Sequence, residues 1–518
     1  MRSRQAGHQF VAPSDPLDPI VARCRAAPDA PHLWVQLLDV ALSLGNLRVA
    51  RAASDHLRDL AVSDWRIELK RAMLLALMGQ RRPALDQVAH ALDLAQSLFD
   101  DHATLGLIYS YCNEAALAEP AFRQALTENP ASPTLCYNLA VTLRMTGKFP
   151  EALALCATLL RARPDHVDAL SLQSELRRQT EDDNHVATLQ AQLDGGDLSH
   201  RDQIRLRFAL AKELEDLKQA DAALEQVNLG CELQRRVIAY TVEDDLETLD
   251  LIRRSHDARG LASMANGRTT AAPIFLVGLP RTGTTLLERM LTMHSSIGTV
   301  GETNAFALEL MAEAGRKGRR LDKKTLVEES LTLSPDSLAD AYQHAVGADL
   351  HPGRRLIDKM PLNYLYLGLI ARAMPQATLV FMDRSPMDSI FAMYKSLFAN
   401  AYPFSYQLEE LARYYVHWRA LMTHWRDTLG DRLLIVRYED LISRPEPVLR
   451  KALAHCRLAF DERCLNFTRN PIASQTLSAV QVRQPLHRES IGRWRQHAVH
   501  LQPAVAILTE AGIPLEWG

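Results

Sequence analysis

The sequence predicts a multidomain fold in which an all-α helical-repeat solenoid precedes an α/β domain with a parallel sheet and a P-loop-like phosphate-binding loop. Two observations predict it. In the first half, a pattern of small and large apolar residues recurs every 34 residues. In the second half, short β-branched and aromatic runs have strand length, and the first leads into a glycine-containing loop and then a helical pattern. We place the repeats at residues 15–245, a helical bridge at 246–270 and the α/β domain at 271–518.

The composition is typical of a globular chain. The 518 residues include 59 Lys and Arg against 62 Asp and Glu, a formal net charge of −3, which argues against a protein that mainly coats nucleic acid or an anionic membrane. No apolar stretch approaches the roughly 18 residues of a membrane-spanning helix, and no apolar run follows the basic start as in a signal peptide. The seven cysteines lack metal-ligand spacing, which predicts reduced thiols and no metal. We therefore expect a soluble, cytoplasmic protein.

The repeat pattern is clearest between residues 106 and 164. Five residues of one unit align with five of the next, each pair 34 residues apart: Gly106, Tyr109, Ala118, Phe122 and Pro130 with Ala140, Leu143, Ala152, Cys156 and Pro164. The small residues allow two helices to approach closely, and the proline prevents the second helix from continuing. Fainter copies start near Trp34 and Ala72, and a degenerate unit covers 205–230. The polar segment 180–201 is expected to interrupt the stack.

This pattern resembles the tetratricopeptide repeat, a stack of antiparallel helix pairs. Such arrays present a concave surface, so the resemblance implies a groove for a protein or peptide partner. The alternative is a spacer or a dimerisation arm, and the sequence leaves a homodimer open. No pattern in this half of the chain indicates catalysis.

A phosphate-binding loop follows the first strand-like run of the second half. The run 274–277 is connected to a helical pattern by Gly278-Leu279-Pro280-Arg281-Thr282-Gly283-Thr284-Thr285. Glycines let backbone N–H groups approach an anion, and a helix N-terminus adds unsatisfied donors and a partial positive charge. The spacing is that of a nucleotide-binding P-loop, but Thr284 stands where those loops have lysine. With Arg281 as the loop's cation, we predict a smaller anion and no required metal.

The loop resembles the 5′-phosphosulfate loop of sulfotransferases, which use 3′-phosphoadenosine 5′-phosphosulfate (PAPS) as the sulfuryl donor. Its Pro-Arg start is similar to that of tyrosylprotein sulfotransferases and of bacterial chains that join tetratricopeptide repeats to a sulfotransferase domain. The resemblance implies a PAPS-dependent domain over residues 271–518. It also implies donor contacts from the loop residues Pro280, Arg281, Thr282, Gly283, Thr284 and Thr285.

Two further motifs match catalytic residues of this family. Glu302 follows Gly301 after the loop helix, and the resemblance implies that it is the general base. Lys359, in Asp358-Lys359-Met360-Pro361, matches the catalytic lysine. With Arg281 it is expected to stabilise charge on the sulfuryl group and the bridging oxygen. Without the resemblance, Glu302 would be interpreted as a solvated loop carboxylate and Lys359 as a surface lysine at a strand end.

A third motif concerns the 3′-phosphate of the donor. The strand-like run 378–382 leads to Arg384, which matches the family arginine that binds this phosphate together with a serine eight residues later. This chain has Ala392 at the serine position. Ser389 or Ser396, on the same helix face, are the candidates to compensate.

The remaining donor residues lie near the end of the chain. Tyr438 follows the last strand-like run and matches the family tyrosine beside the adenosine. His487 and Arg488 align with the basic pair of a segment that closes over the nucleotide, and Gly492 belongs to the same segment. Apolar residues at helical spacing over 408–426 predict a core-facing helix, not a cofactor site.

These motifs predict sulfuryl transfer from PAPS to an acceptor hydroxyl, without a metal. The resemblance favours a protein or peptide tyrosine, presented with help from the repeats. A carbohydrate or small-molecule hydroxyl is an alternative acceptor, and a nucleotide hydrolase or kinase and a catalytically dead repeat scaffold are alternative functions. A rim of Lys and Arg around Glu302 would favour an acidic peptide, and a narrow aromatic pocket would favour a small molecule. The nearest candidate for such a rim is the run 316–320 with Lys323 and Lys324.

Overall fold

The computed structural model describes residues 16–256, 266–315, 321–347, 352–474, 476 and 478–517. The chain forms two compact units, divided between Cys112 and Asn113. The first is helical, and the second combines helices with a five-stranded parallel sheet. The predicted fold class, an all-α region followed by an α/β domain, is therefore confirmed. Within the described ranges, no helix has the length and apolar character needed to span a membrane.

The first unit is a series of helices joined by short turns. Its described helices are α1 Asp18–Ala26, α2 Pro31–Ser43, α3 Leu47–Asp59, α4 Trp65–Leu77, α5 Arg81–Ala95 and α6 His102–Tyr111, with a 3-10 helix at Gln96–Leu98. Ala72 of α4 and Ala84 of α5 have no exposed surface. The repeat pattern predicts small residues at these two positions, and larger side chains there would force the two helices apart.

The second unit begins with a further series of helices. These are α7 Ala115–Glu128, α8 Pro133–Thr146, α9 Phe149–Ala162, α10 Val167–Leu176, α11 Val186–Asp194, α12 His200–Asp216, α13 Ala220–Val237 and α14 Val242–Ser255. Ala140 and Ala152 are buried, as the repeat pattern predicts. The polar segment 180–201 contains α11, whose Leu189 is fully buried in a cluster with Leu206 of α12. The segment packs in this way because apolar residues recur at helical spacing between its two polar ends.

The sheet has five strands: β1 Ile274–Gly278, β2 Ile297–Gly301, β3 Arg355–Asp358, β4 Thr378–Asp383 and β5 Leu433–Arg437. Their order in the sheet is β2-β3-β1-β4-β5, and each pair of neighbours is parallel. Strands β1, β4 and β5 are those that the apolar runs predict. Strand β2 gives a weaker signal because glycine and threonine interrupt its apolar residues.

Helices pack on both faces of this sheet. They are α15 Thr284–Leu291, α16 Ala305–Gly315, α17 Lys323–Ser330, α18 Pro335–Val346, α19 Leu367–Ala373, α20 Pro386–Tyr394, α21 Leu408–Leu429, α22 Tyr438–Ser443, α23 Pro445–His455 and α24 Gln502–Glu510. The described 3-10 helices of this region are Pro361–Tyr366, Pro403–Tyr406, Gly430–Arg432, Glu462–Arg469, Gln481–Arg483 and Arg493–His497. The helix predicted over 408–426 is present as α21, and its Trp418 is 1% exposed.

The sheet lies between two apolar layers. In β1, Phe275 and Val277 belong to one hydrophobic cluster, whereas Ile274 and Leu276 belong to the other. This alternation arises because successive side chains of a strand point to opposite faces. The result is the three-layer arrangement of an α/β domain.

Helices α12–α14 share a core with this domain. Cys231 of α13 and Leu249 of α14 lie in the same hydrophobic cluster as Phe275 of β1. An ion pair between Arg235 and Glu410, at 2.8 Å, also joins α13 to α21. The predicted degenerate repeat is therefore helical and packs directly onto the α/β domain. Of the predicted bridge, residues 257–265 lie outside the described part of the chain.

Candidate active site

All five strands end at the same edge of the sheet, and a predicted site residue follows each of them. Strand β1 leads into the loop that contains Arg281, and the other strands are followed directly by Glu302, Lys359, Arg384 and Tyr438. Because the strands are parallel, their carboxyl ends lie together, where open α/β sheets bind ligands. The fold therefore gathers residues from five separate motifs at one edge.

The loop between β1 and α15 turns tightly. Arg281 and Gly283 both have left-handed backbone conformations, with φ of +65° and +102°. A Cβ on Gly283 would lie 2.5 Å from the ring of Tyr438, so only glycine fits here. The hydroxyl of the fully buried Thr282 donates to a carbonyl of the same loop at 2.7 Å. Helix α15 then begins at Thr284, and its first N–H groups have no acceptor within the helix.

A cavity of about 160 Å³ adjoins this loop. Its described basic lining residues are Arg281, Arg384, Lys395, His487 and Arg493, and Thr284, Thr285 and Tyr438 also line it. Asp388 is the one carboxylate among the described lining residues. Positive charge beside a helix N-terminus makes an anion-binding site. The volume suits phosphate-sized groups, since sites that enclose a whole ligand measure about 300–1,000 Å³.

Arg384 connects the loop to the C-terminal segment. Its Nη1 donates to the Arg281 carbonyl at 2.8 Å, and its Nη2 donates to the Ser490 carbonyl at 2.6 Å. The guanidinium lies 4.7 Å from the centre of the Tyr438 ring. Arg384 is 7% exposed, and its Nε has no hydrogen-bond partner among the described residues. A buried positive charge with an unused donor therefore lies in the cavity wall.

Arg281 is paired with neutral groups. Its Nη1 donates to the Ser478 hydroxyl, and its Nη2 donates to Gln481 Oε1 at 2.8 Å. Burial, followed by repulsion from Arg384, lowers the pKa of Arg281 to about 10. An anion in the cavity would offset both effects, so this charge favours a ligand.

The sequence does not predict two of the basic residues of the cavity, Lys395 and Arg493, as site residues. Both pair with Glu215 of α12, at 2.6 Å and 3.1 Å. Lys395 lies one helical turn after Ala392, which also lines the cavity. That spacing is the feature of the sequence that could have identified Lys395 as a cavity residue. The partner Glu215 is 180 positions away and could not be identified from the sequence.

The two candidate substitutes for the missing serine are turned to backbone carbonyls. The Ser389 hydroxyl donates to the Arg384 carbonyl at 3.2 Å, and the Ser396 hydroxyl donates to the Ala392 carbonyl at 2.8 Å. Neither serine is among the described residues that line the cavity. Lys395 is therefore better placed than either serine to replace the contact.

Four other predicted donor residues, including the buried Thr282 described above, lie outside the described cavity lining. Pro280 is buried in the loop, and Arg488 is exposed. Gly492 has φ +70°, and its N–H donates to Asp388 Oδ2 at 2.7 Å. Gly492 thus anchors the C-terminal segment next to the cavity.

Lys359 lies between two carboxylates at the same sheet edge. It is 1% exposed, and its Nζ is 2.5 Å from Glu302 Oε1 and 3.8 Å from Glu288 Oε2. Glu288 accepts a hydrogen bond of 2.6 Å from the Thr299 hydroxyl, and burial raises its pKa despite the nearby Lys359. On α15, Glu288 is one turn after Thr284 and on the same face. This contact therefore holds the lysine ammonium near the start of the loop helix.

The end of β3 is fixed by a buried carboxylate, Asp358. It accepts hydrogen bonds from the Tyr342 hydroxyl and from Asn363 Nδ2, both at 3.0 Å. Burial raises the pKa of Asp358 to about 7, while the hydrogen bonds from the Tyr342 hydroxyl and from the Met360 N–H oppose the rise. The network sets the position of the next residue, Lys359.

The basic rim considered for an acidic peptide has little support in the described residues. The run 316–320 lies outside them. Lys323 and Lys324 pair with Asp245 and Glu247 of α14. Their charges are therefore largely neutralised within the chain.

The comparisons with known families agree with this geometry. Residues 273–462 match the profile of the sulfotransferase family, and residues 113–176 match that of the tetratricopeptide repeat. The first range contains all five strand ends, and the second contains α7–α10.

Individual relatives are distant. An uncharacterized protein of Aquifex aeolicus (strain VF5) is 27% identical over 78% of this chain and 54% of its own length. Protein-tyrosine sulfotransferase 1 of Danio rerio is 26% identical over 43% of this chain and 65% of its own length. The chain thus spans less than two thirds of either relative.

Among solved structures, the sulfotransferase domain from the Synechococcus PCC 7002 olefin synthase is 20% identical over 49% of this chain and 99% of that domain, with a TM-score of 0.33. The chain therefore contains a domain of the sulfotransferase family, preceded by a tetratricopeptide repeat.

Proposed function

We propose that the protein transfers a sulfuryl group from PAPS to an acceptor hydroxyl. The observation that carries this proposal is that the cationic cavity and the Lys359–Glu302 pair lie at the same edge of the sheet, and that Lys359 also contacts Glu288 of the loop helix. Arg281 and Arg384 both line the cavity, and their side chains donate hydrogen bonds to neutral hydroxyl, amide and carbonyl oxygens of the described residues, not to carboxylates. Their charges remain available for an anion.

The residues of the cavity fit the donor. The backbone N–H groups of Thr282–Thr285 and the guanidinium of Arg281 bind the phosphosulfate at the start of α15. Arg384, Lys395 and Arg493 bind the 3′-phosphate. Because the cavity of about 160 Å³ is small for a whole nucleotide, the C-terminal segment moves outward to admit the adenosine.

The reaction requires one proton acceptor and a positive charge near the leaving oxygen. Glu302 takes the proton of the acceptor hydroxyl as the acceptor oxygen bonds to sulfur. The bond between sulfur and the bridging oxygen breaks, and its electron pair stays on the departing 3′,5′-adenosine bisphosphate. Lys359 and Arg281 stabilise the charge that develops there. Positioning provides most of the remaining rate enhancement, since the protein forms no covalent bond.

The proposed activity needs only a hydroxyl on the acceptor. The name of the Danio rerio relative supports a protein tyrosine, and the repeats offer a surface that can hold a peptide. The pairing of Lys323 and Lys324 with acids of α14 favours a less acidic acceptor, such as a small-molecule or carbohydrate hydroxyl. A repeat-bound partner, a homodimer and a cytoplasmic location stay predictions.

Calorimetry with 3′,5′-adenosine bisphosphate tests the donor site. We expect binding at micromolar ligand that is unaffected by EDTA, followed by transfer of label from radioactive PAPS to a hydroxyl. The described residues include no group of three or more His, Cys, Asp or Glu placed to hold a metal, and the EDTA arm tests metal independence directly. Absence of bisphosphate binding would favour the dead scaffold, and binding of ATP that requires magnesium would favour a kinase or hydrolase.

A further inference from the structure

A second cavity, of about 440 Å³, is separate from the donor site. Its wall is mainly apolar and aromatic. The side chains come from α14, from α17, from the 3-10 helices Pro361–Tyr366 and Pro403–Tyr406, and from the loop before the latter. They include Leu249, Leu326, Leu365, Tyr366, Tyr402 and Phe404. The volume falls within the range of about 300–1,000 Å³ that is typical of sites enclosing a whole small-molecule ligand. None of its described lining residues also lines the donor cavity.

Three residues of the wall lie near the proposed catalytic residues Glu302 and Lys359, which are not themselves among the described lining residues. Leu362 follows Lys359 by three residues, so their Cα atoms are within about 10 Å of each other. Leu310, also in the wall, belongs to the helix that begins shortly after Glu302. Burial raises the pKa of the Tyr402 hydroxyl, and the charge of Glu302 adds to the rise, so these two groups are within electrostatic range.

Several polar side chains of the wall already have hydrogen-bond partners within the protein. The Tyr240 hydroxyl donates to Asp245 Oδ2 at 2.7 Å, and Asp245 also pairs with Lys323. His256 is 2% exposed, and its Nε2 has no hydrogen-bond partner among the described residues, whereas its Nδ1 is 3.1 Å from the Ile252 carbonyl. Such a wall favours an apolar ligand with few polar atoms. A sugar or an acidic peptide would lose hydrogen bonds to water without replacing them.

We propose that this cavity binds the body of the acceptor, and that the acceptor is an apolar alcohol or phenol of small-molecule size whose hydroxyl reaches Glu302. This inference rests on the proposed sulfotransferase function and names its substrate class. The acceptor O–H proton passes to Glu302, the new O–S bond forms, and the S–O bond to the bridging oxygen breaks. A tyrosine peptide is the competing acceptor. It would place one ring near Glu302 and leave most of the cavity unfilled.

The experiment separates binding from transfer in the full chain. Binding of 2-naphthol is followed by its fluorescence without donor, and transfer from labelled PAPS is measured to 2-naphthol and to an acidic tyrosine peptide. Leu326→Trp and Leu365→Trp fill the cavity from two different elements. Met311→Trp, at a position of α16 that is 46% exposed, is the matched control. Calorimetry with 3′,5′-adenosine bisphosphate reports the donor site, and the melting temperature reports folding.

We expect 2-naphthol binding and its sulfation to fall by at least about tenfold in a folded filling variant, with the control and bisphosphate binding unchanged. The inference is overturned if 2-naphthol does not bind, or if the tyrosine peptide is sulfated equally well in native protein and filling variants. If 2-naphthol binds but no acceptor is sulfated despite bisphosphate binding, the proposed function fails and the acceptor role fails with it. Should both variants unfold, hydrogen exchange on native protein decides: 2-naphthol must protect α14 and α17, and protection elsewhere contradicts the inference.

Discussion

The ammonium of Lys359 is held between two carboxylates of very different exposure. The side chain of Glu302 is 41% exposed, whereas that of Glu288 is 11% exposed. Only Glu302 can therefore meet an acceptor that arrives from solvent. Glu288 acts as a positioning residue that keeps Lys359 beside the loop helix. Burial, not residue type, distinguishes the two carboxylates.

Glu302→Gln and Lys359→Ala should each reduce turnover by at least about tenfold, because Gln cannot accept the proton and Ala carries no charge. Neither residue is among the described residues that line the donor cavity, so affinity for 3′,5′-adenosine bisphosphate should be retained. Labelled PAPS measures turnover, and calorimetry measures affinity. Glu328→Gln, at an exposed position of α17, is the control. Full activity in both variants would refute the assignment.

Asp358 should make folding stability depend on pH below neutrality. Its folded-state pKa is raised by burial to about 7, whereas the unfolded value is about 3.9. Between these values the folded protein keeps a proton that the unfolded chain has released. The contribution of Asp358 is therefore fully present below the unfolded pKa and is lost as pH rises toward about 7, by up to about 1.4 kcal/mol per pH unit.

Asp358→Asn should consequently lower the free energy of unfolding more at about pH 5 than at about pH 7.5. Asn has a similar size and keeps one acceptor for Tyr342 or Asn363. Urea titrations at both pH values measure the difference, and Asp340→Asn, at an exposed position of α18, is the control. An equal loss at both pH values would mean that Asp358 is ionised in the folded state throughout.

The donor cavity is closed on one side by the strap, which we define as the described residues between 470 and 484. Two side chains of the strap, Ser478 and Gln481, accept the hydrogen bonds of Arg281. The strap is in turn attached to the repeat helix α8. Arg144 Nη1 donates to the Thr476 carbonyl at 3.2 Å, and the Met145 carbonyl accepts from the strap at 2.9 Å and 2.7 Å. A repeat helix thus supports a wall of the donor site.

Arg144→Ala should raise the KM for PAPS with little change in kcat, because it loosens the strap without touching Glu302 or Lys359. The loss of one charged hydrogen bond costs about 1.5–3 kcal/mol at the strap. If about 1 kcal/mol of this cost weakens donor binding, the KM for PAPS rises roughly fivefold. Steady-state kinetics with varied PAPS measures the split. Arg161→Ala, exposed on α9, is the matched control. A fall in kcat at constant KM would contradict this role.

Elements with local signals could be predicted from the sequence. Strands β1, β4 and β5 contain continuous apolar runs. Arg281 lies in the loop after β1, and Arg384 and Tyr438 directly follow β4 and β5. Their convergence could then be inferred, because parallel strands end at one edge. Glu302 and Lys359 depended on resemblance to a known family, since one charged residue after a short strand is common on protein surfaces.

Contacts between distant segments could not be predicted in this way. The pairing of Lys395 and Arg493 with Glu215 joins three elements and has no local pattern. The apolar cavity of about 440 Å³ could not be predicted from the sequence either, because its lining residues come from separate helices and turns that each look like ordinary core. What decides these features is how helices α12–α14 pack on the sheet.

The second compact unit joins repeats and site through contacts at separate places. Asn113 Nδ2 donates to the Glu302 carbonyl at 3.3 Å, next to the proposed base. Helix α8 holds the strap, and Glu215 of α12 pairs with Lys395 of the donor cavity. Because α12–α14 also share the hydrophobic core of the sheet, the site depends on the repeats for its shape.

Truncation tests this dependence. A chain of residues 113–518 should bind 3′,5′-adenosine bisphosphate with unchanged affinity and melt in one transition, because it keeps the whole second unit. A chain of residues 241–518 should lose binding, because it lacks Glu215 and exposes the core residues that α12 and α13 cover. Calorimetry and circular dichroism measure both properties. In the full chain, Glu215→Gln removes the ion pairs of Glu215 but leaves the core packing of α12 and α13 in place. It should therefore weaken bisphosphate binding but lower the melting temperature less than the truncation does. Native affinity in the 241–518 chain would show that the site forms without the repeats.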